Sequence, residues 1–180
     1  MLVLVVGPSG AGKDTLLDGA RAAFAQEDGI VFVRRAITRA ADAGGEAHQP
    51  LSEAEFAEAV AAGAFALHWR AHGLGYGIPA TIARDLAAGR IVIANVSRTV
   101  IVEAARRYPV HGIEITAPPA ILAARLAARG REDAADRAAR LARDVAFPAG
   151  IAHSVVQNDA TPAIGIARFC AVIAALRISR

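Results

Sequence analysis

Leu2-Val3-Leu4-Val5-Val6 leads directly into Gly7-Pro8-Ser9-Gly10-Ala11-Gly12-Lys13-Asp14-Thr15, and helical spacing of apolar residues follows. The apolar run is too short for a membrane span and reads as a buried strand. The spacing G-x-x-x-x-G-K needs glycines so that backbone N–H groups can wrap a phosphate, and a lysine to reach the outer phosphates of a nucleotide. A helix beginning near Lys13 adds the positive end of its dipole. Strand, loop and helix in that order predict a phosphate-binding loop over Gly7 to Thr15 rather than a plain strand-to-helix turn.

Lys13 is the only lysine in a chain with 20 lysines and arginines. A compact ammonium on a flexible stem suits the β- and γ-phosphates better than a planar guanidinium. An aspartate beside a triphosphate repels it unless a cation intervenes. Ser or Thr ordinarily follows the lysine of this motif to hold Mg²⁺, but here Asp14 intervenes and the hydroxyl comes one residue later, so Thr15 is expected at Mg²⁺ and Asp14 to meet it through water.

A length of 180 residues predicts one domain with a real core, and 54% hydrophobic against 21% charged residues argues for a compact globule. No apolar stretch reaches the roughly 20 residues of a transmembrane helix, and no signal peptide is visible. A lone Cys170 excludes an internal disulfide and a cysteine-cluster metal site, so the cytoplasm is the expected compartment. The net charge of +3 is spread along the chain without aromatic-rich strands, which points to small polyanionic ligands and away from nucleic acid. His48, His68, His72, His111 and His153 lack metal-ligand spacing and read as surface or satisfied histidines, except His72 in the stretch His72-Gly73-Leu74-Gly75-Tyr76-Gly77.

Leu16, Leu17, Ala20 and Phe24 recur at helical spacing, and Ile30 to Ile37 reads as a strand interrupted by Arg34-Arg35. Thr38 to Pro50 has no period and reads as a loop. Ser52 and Glu55 then form the signature of a capping box, with Leu51 and Phe56 spaced as a hydrophobic staple. Ala64 to Trp69 follows as a strand, with Trp69 as core, then a glycine-rich turn to Gly77, and a helix started by Pro79 and stopped by Gly89. Short apolar strands at Ile91 to Ala94, Val110 to Ile115 and Ser154 to Gln157 alternate with helices from about Thr99, Pro118 and Thr161. Such alternation predicts an α/β fold with a parallel central sheet covered on both faces.

The loop together with Thr38-Arg39, Gly45-Glu46, Tyr76-Gly77, Arg129-Gly130, Arg140-Leu141 and Asn158-Asp159 resembles the guanylate kinase superfamily over essentially the whole chain. Within it, Gly12-Lys13-Asp14-Thr15-Leu16-Leu17, Ile37-Thr38-Arg39, Leu51 to Phe56, Trp69 with His72-Gly73-Leu74, and Gly130-Arg131-Glu132 are similar to the ribose 1,5-bisphosphate phosphokinases. The resemblance implies a three-layer P-loop kinase fold over 1–180, with a small acceptor-binding insertion at about 35–76 and a helical lid at about 129–143. It implies ATP as co-substrate, Mg²⁺ as cofactor, and phosphorylation of ribose 1,5-bisphosphate to 5-phosphoribosyl 1-diphosphate in phosphonate breakdown. Gly7, Pro8, Ser9, Gly10, Ala11, Gly12, Lys13, Asp14, Thr15 and Asn158 are then expected at ATP, and Arg35, Arg39, His72, Tyr76 and Asn95 at the sugar bisphosphate. Lys13, Arg129 and Arg140 are expected to act on the transferred group.

Departures from guanylate kinases support that choice. Their base-reading glutamate falls on Leu67 and their base-reading hydroxyl on Arg35, and guanine donors would be left unpaired against these side chains. Their second phosphate arginine falls on Asp42, and an aspartate ending the next strand is replaced at Asn95. By alternation only one of Arg34 and Arg35 faces the site. Arg140 also lies four residues after Asp136, so an ordinary helix ion pair is its alternative. Two further readings stay open: a nucleoside monophosphate kinase, and a non-catalytic interaction module of the same fold.

Overall fold

All five residues of β1 (Leu2–Val6) are buried, so both sides of this strand are covered, as its uninterrupted apolar sequence requires. The computed structural model describes residues 1–40, 46–128 and 147–178. After β1 come α1 (Lys13–Ala23), β2 (Ile30–Phe32), β3 (Ala36–Ile37), β4 (Gln49–Pro50), α2 (Glu53–Ala61), β5 (Phe65–Ala71) and β6 (Leu74–Pro79). Then follow α3 (Ile82–Ala87), β7 (Ile91–Asn95), a 3₁₀ turn (Arg98–Val100), α4 (Ile101–Arg107), β8 (Val110–Thr116), α5 (Pro119–Ala128), β9 (His153–Gln157) and α6 (Pro162–Ile178). One sheet has the order β2-β7-β1-β8-β9, with β2 parallel to β7 and β8 parallel to β9. The other has the order β4-β3-β6-β5. No helix among the described residues is long and apolar enough to cross a membrane.

The chain divides into two compact units, Met1–Leu4 with Glu27–His111, and Val5–Gln26 with Gly112–Arg180. In the first, the single strand expected over Ile30 to Ile37 is two strands in two sheets. Val33 N still donates to Ile93 O on β7, whereas Arg35 O already accepts from Gln49 N on β4, so the chain changes sheets across Arg34. The Arg34-Arg35 pair that interrupts the apolar run marks the switch, but two residues are too short a break for periodicity to separate two strands. The stretch read as a loop from Thr38 accordingly ends in β4, paired parallel to β3.

The glycine-rich turn is likewise shorter than its composition implies. Only His72 (φ 54°) and Gly73 (φ 71°) form the turn, both left-handed as a two-residue hairpin connection requires. Gly75 and Gly77 lie within β6, and their role is room. A Cβ on Gly75 would stand 2.9 Å from the Phe56 ring, and one on Gly77 2.5 Å from Phe65 Cδ1. Phe56 and Phe65 pack together at 5.3 Å between ring centroids. Pro79 ends β6 rather than starting a helix: Ala80 N returns to Ala64 O, and α3 begins at Ile82.

The capping box forms as its residues predict. Ser52 N donates to Glu55 Oε2 at 2.7 Å and Glu55 N donates to Ser52 Oγ at 3.2 Å. The Ser52 backbone N–H, and then its side chain, hold the Glu55 carboxyl below the usual carboxylate range.

In the second unit α1 packs on α6, where Gly19 leaves space for the Ile166 side chain. Phe169 and Ile173 of α6 are fully buried. Gly77→Ala should destabilise the chain by about 1–3 kcal/mol, because a methyl group driven into the Phe65 ring forces β5 and β6 apart or the ring out of its rotamer. Urea unfolding against the unsubstituted chain measures it.

Candidate functional site

The phosphate loop belongs to the second unit and is shaped by contacts that only glycine tolerates. Gly12 is the N-cap of α1 at φ 86°, with no side-chain hydrogen bond closing the helix end. A Cβ there would come 2.5 Å from Asn158 Nδ2. The amides of the first turn consequently have no capping side chain in front of them, the arrangement an anion needs. Lys13 Nζ folds back over the loop and donates to Gly7 O at 2.7 Å and Pro8 O at 3.1 Å. Ala11 N closes the loop on Pro8 O at 3.2 Å. Thr15 is exposed and Asp14 half-buried on the same first turn of α1.

Asn158 follows β9 and is only 4% exposed. Its Nδ2 donates to Ala11 O at 2.7 Å, its backbone N donates to Thr116 O, and its own carbonyl accepts from Arg125 Nη1 at 3.0 Å. A Cβ on Gly165 of α6 would collide with Asn158 Oδ1. The side chain thus spends its amide on the shape of the loop. Arg125, on α5, reaches the same corner, 3.9 Å from the Gly12 Cβ position. It sits in no motif, so nothing in the sequence singles it out.

Of the expected acceptor residues, Arg35, Arg39, Tyr76 and Asn95 lie in the first unit on and around β3, β6 and β7, with contacts through Glu46 and His48. Trp69 stands opposite Tyr76, Leu67 opposite Ile78 and Ile37 opposite Tyr76, so these side chains share one sheet face. The Trp69 and Tyr76 rings stack at 5.3 Å and 5°. Two-residue alternation puts Arg35 on the Ile37 side, and its guanidinium lies 5.1 Å from the Tyr76 centroid and 5.8 Å from that of Trp69. Of the arginine pair, Arg35 therefore joins this face, while exposed Arg34 donates to His48 O at 2.7 Å. Leu67 is fully buried and offers no polar group there.

Arg35 is not an uncompensated charge. Its Nε meets Glu46 Oε1 at 2.6 Å with both side chains largely buried, and Asn95 Nδ2 donates to Glu46 Oε2 at 3.2 Å. Arg39 meets His48 and borders an open hollow of about 350 Å³ that Thr38, Ala40, Leu51, Ser52 and Glu53 also line. Arg70, 2.8 Å from Glu53, takes up that carboxylate's charge and, ahead of Thr38, holds it below the usual carboxylate range. His72 stays apart from this cluster, exposed at the hairpin tip. Arg129, Arg140 and Asp42 lie outside the described residues. His48, buried here, had no sequence signal, and Glu46 only its place beside Gly45.

The family described as an AAA domain, AAA_33, matches residues 2–147. The chain is 54% identical over 172 residues to ribose 1,5-bisphosphate phosphokinase PhnN of Acidiphilium cryptum, covering 96% of this chain and 91% of that one. It is 53% identical over 177 residues to a bifunctional ribose 1,5-bisphosphokinase-thymidine phosphorylase of Azorhizobium caulinodans, covering 97% of this chain but only 26% of that longer protein. Among solved structures, guanylate kinase of Anaplasma phagocytophilum superposes with a TM-score of 0.68 at 19% identity, covering 97% of this chain and 84% of that one, a likeness of fold alone.

Asn158→Ala should cost about 1–3 kcal/mol in chemical denaturation, since it leaves the Ala11 carbonyl without its donor. An unchanged unfolding midpoint would mean that the loop holds its shape without Asn158.

Proposed function

This chain belongs to the ribose 1,5-bisphosphate phosphokinase family and to the AAA-domain family, and we propose that it transfers the γ-phosphoryl group of ATP to the 1-phosphate of ribose 1,5-bisphosphate. The product is 5-phosphoribosyl 1-diphosphate, and phosphonate breakdown is the setting we infer for it. The observation that carries the reading is the face of Leu67, Trp69 and Tyr76 under the Arg35–Glu46 pair. A nucleobase needs donors and acceptors matched to its edge. This face offers a leucine and a guanidinium already laid across the rings, so a purine would lose its polar partners and meet an occupied shelf.

The chemistry asks little covalent work of the protein. An oxygen of the acceptor phosphate forms a bond to the γ-phosphorus while the bond to the bridging oxygen breaks, and ADP leaves with that electron pair. The nucleophile is already anionic, so no general base is required. What remains is positioning and neutralisation of charge. Lys13 exchanges its two loop carbonyls for the β- and γ-phosphates, and the first-turn amides of α1 hold the remaining oxygens. Arg39 and Tyr76 receive the acceptor, with Asn95 and Arg35 beside them and His72 at the rim. Arg129 and Arg140 are assigned to the transferred group, where they neutralise charge and exclude water.

Mg²⁺ fits the first turn of α1, because Asp14 and Thr15 are adjacent hard oxygen donors and Thr15 is exposed. There Thr15 would hold it directly and Asp14 through water. When bound it supplies neutralisation of the β- and γ-oxygens.

An assay with MgATP that offers ribose 1,5-bisphosphate and GMP side by side tests the reading. Phosphoribosyl diphosphate and ADP should form from the sugar bisphosphate, with GMP left unphosphorylated. Faster turnover of GMP would instead make the chain a guanylate kinase. Lys13→Ala should lower kcat roughly a hundredfold or more while leaving the fold intact by circular dichroism. Unchanged turnover would remove the phosphate loop from the mechanism.

A further inference from the structure

Residues 46–48, just ahead of β4, touch three arginines. Arg34 Nη2 donates to the His48 carbonyl, Arg35 Nε pairs with Glu46, and Arg39 Nη2 lies 3.2 Å from His48 Nδ1. The imidazole is the unusual member, because it is only 4% exposed and both of its nitrogens are engaged. Nε2 stands 3.0 Å from the Arg39 carbonyl oxygen. A carbonyl can only accept, so Nε2 carries a hydrogen.

Nδ1 faces two partners with opposite demands. The Glu46 carbonyl oxygen, at 3.0 Å, needs an N–H, whereas the Arg39 guanidinium needs a lone pair. A neutral ring with its hydrogen on Nε2 gives the lone pair to Arg39 and grips that residue at both backbone and guanidinium. An imidazolium would turn its second hydrogen to the Glu46 carbonyl and set a positive charge against Arg39. Among the described residues, the charged groups that contact His48 are Arg39 and Arg34, the latter through the main chain, while the Glu46 carboxylate is turned to Arg35 and Asn95. Arg39 Nε is buried with no partner among the described residues, so the bond to His48 is what orients the guanidinium.

We propose that His48, with the hydrogen on Nε2 and the lone pair of Nδ1 toward the guanidinium, is the positioning residue that presents Arg39 to an anionic phosphate of the acceptor. The acceptor part of this statement rests on the function proposed above. The histidine–arginine coupling does not. The arrangement makes acceptor affinity fall when the ring is removed while ATP affinity holds, since Lys13 and the loop amides do not share this contact.

Two experiments test it. In ¹⁵N-labelled chain at pH 8, long-range ¹H–¹⁵N spectra should show the His48 ring, assigned by its loss in His48→Gln, as the neutral form with hydrogen on Nε2. Its Nδ1 signal should move in Arg39→Ala. A ring with hydrogen on Nδ1, or a signal indifferent to Arg39→Ala, overturns the coupling without reference to any substrate. In steady-state assays, His48→Ala should raise the acceptor KM about tenfold and leave the ATP KM nearly unchanged. His48→Gln, which keeps one donor and one acceptor, should recover most of that loss. In the Arg39→Ala background His48→Ala should add nothing, because its partner is already gone. Additive losses, or equal rises in both KM values, overturn the positioning role. If the unsubstituted chain uses GMP instead of the sugar bisphosphate, the same variants measured with GMP decide the role of His48 by the same criteria, and only the substrate assignment fails.

Discussion

A cation held partly out of water is costly unless an oxygen or a nitrogen lone pair faces it. Each of the two compact units gives such cations partners made of the protein's own oxygen and nitrogen. Lys13 rests on the Gly7 and Pro8 carbonyls, Arg35 on the Glu46 carboxylate, and Arg39 on the His48 ring. The partners differ in kind, and that difference sets what each cation can do. Carbonyls are neutral and release an ammonium to a phosphate at modest cost. A largely buried carboxylate is a stronger holder, because breaking such a pair leaves a charge uncompensated. Arg35 is therefore better suited to shape the face of Trp69 and Tyr76 than to leave it.

Packing fixes where these partners stand. Gly75 and Gly77 admit Phe56 and Phe65 against one side of β6, which leaves Tyr76 to stack on Trp69 from the other. Asn158 does the comparable work beneath the phosphate loop, holding the Ala11 carbonyl, while Gly12 and Gly165 keep clear of its amide. In both cases a glycine serves a neighbouring side chain, and its value lies in the atoms it lacks.

The strand, loop and helix of residues 2–23 were legible because three independent signals agree there: an uncharged run, the glycine spacing and a helical period. The capping box at Ser52 was legible for the same reason. Where one signal stood alone it misled. The Arg34-Arg35 interruption within Ile30 to Ile37 resembled a break in one strand although it marks a change of sheet, and glycines at 75 and 77 resembled a turn although they lie in β6. The resting partners of the arginines were out of reach altogether. His48 and Glu46 meet Arg39 and Arg35 only because β3 and β4 pair, and a two-residue pairing leaves no periodic trace.

The decisive measurement is a crystal structure of the chain with ADP and ribose 1,5-bisphosphate bound. Lys13 Nζ should be withdrawn from the Gly7 and Pro8 carbonyls onto the ADP phosphates, a sugar phosphate should lie on Arg39, and the Arg35–Glu46 pair should still be closed over Trp69 and Tyr76. A sugar bisphosphate bound away from Arg39, or an Arg35 swung off the rings to admit a planar ligand, would contradict this arrangement.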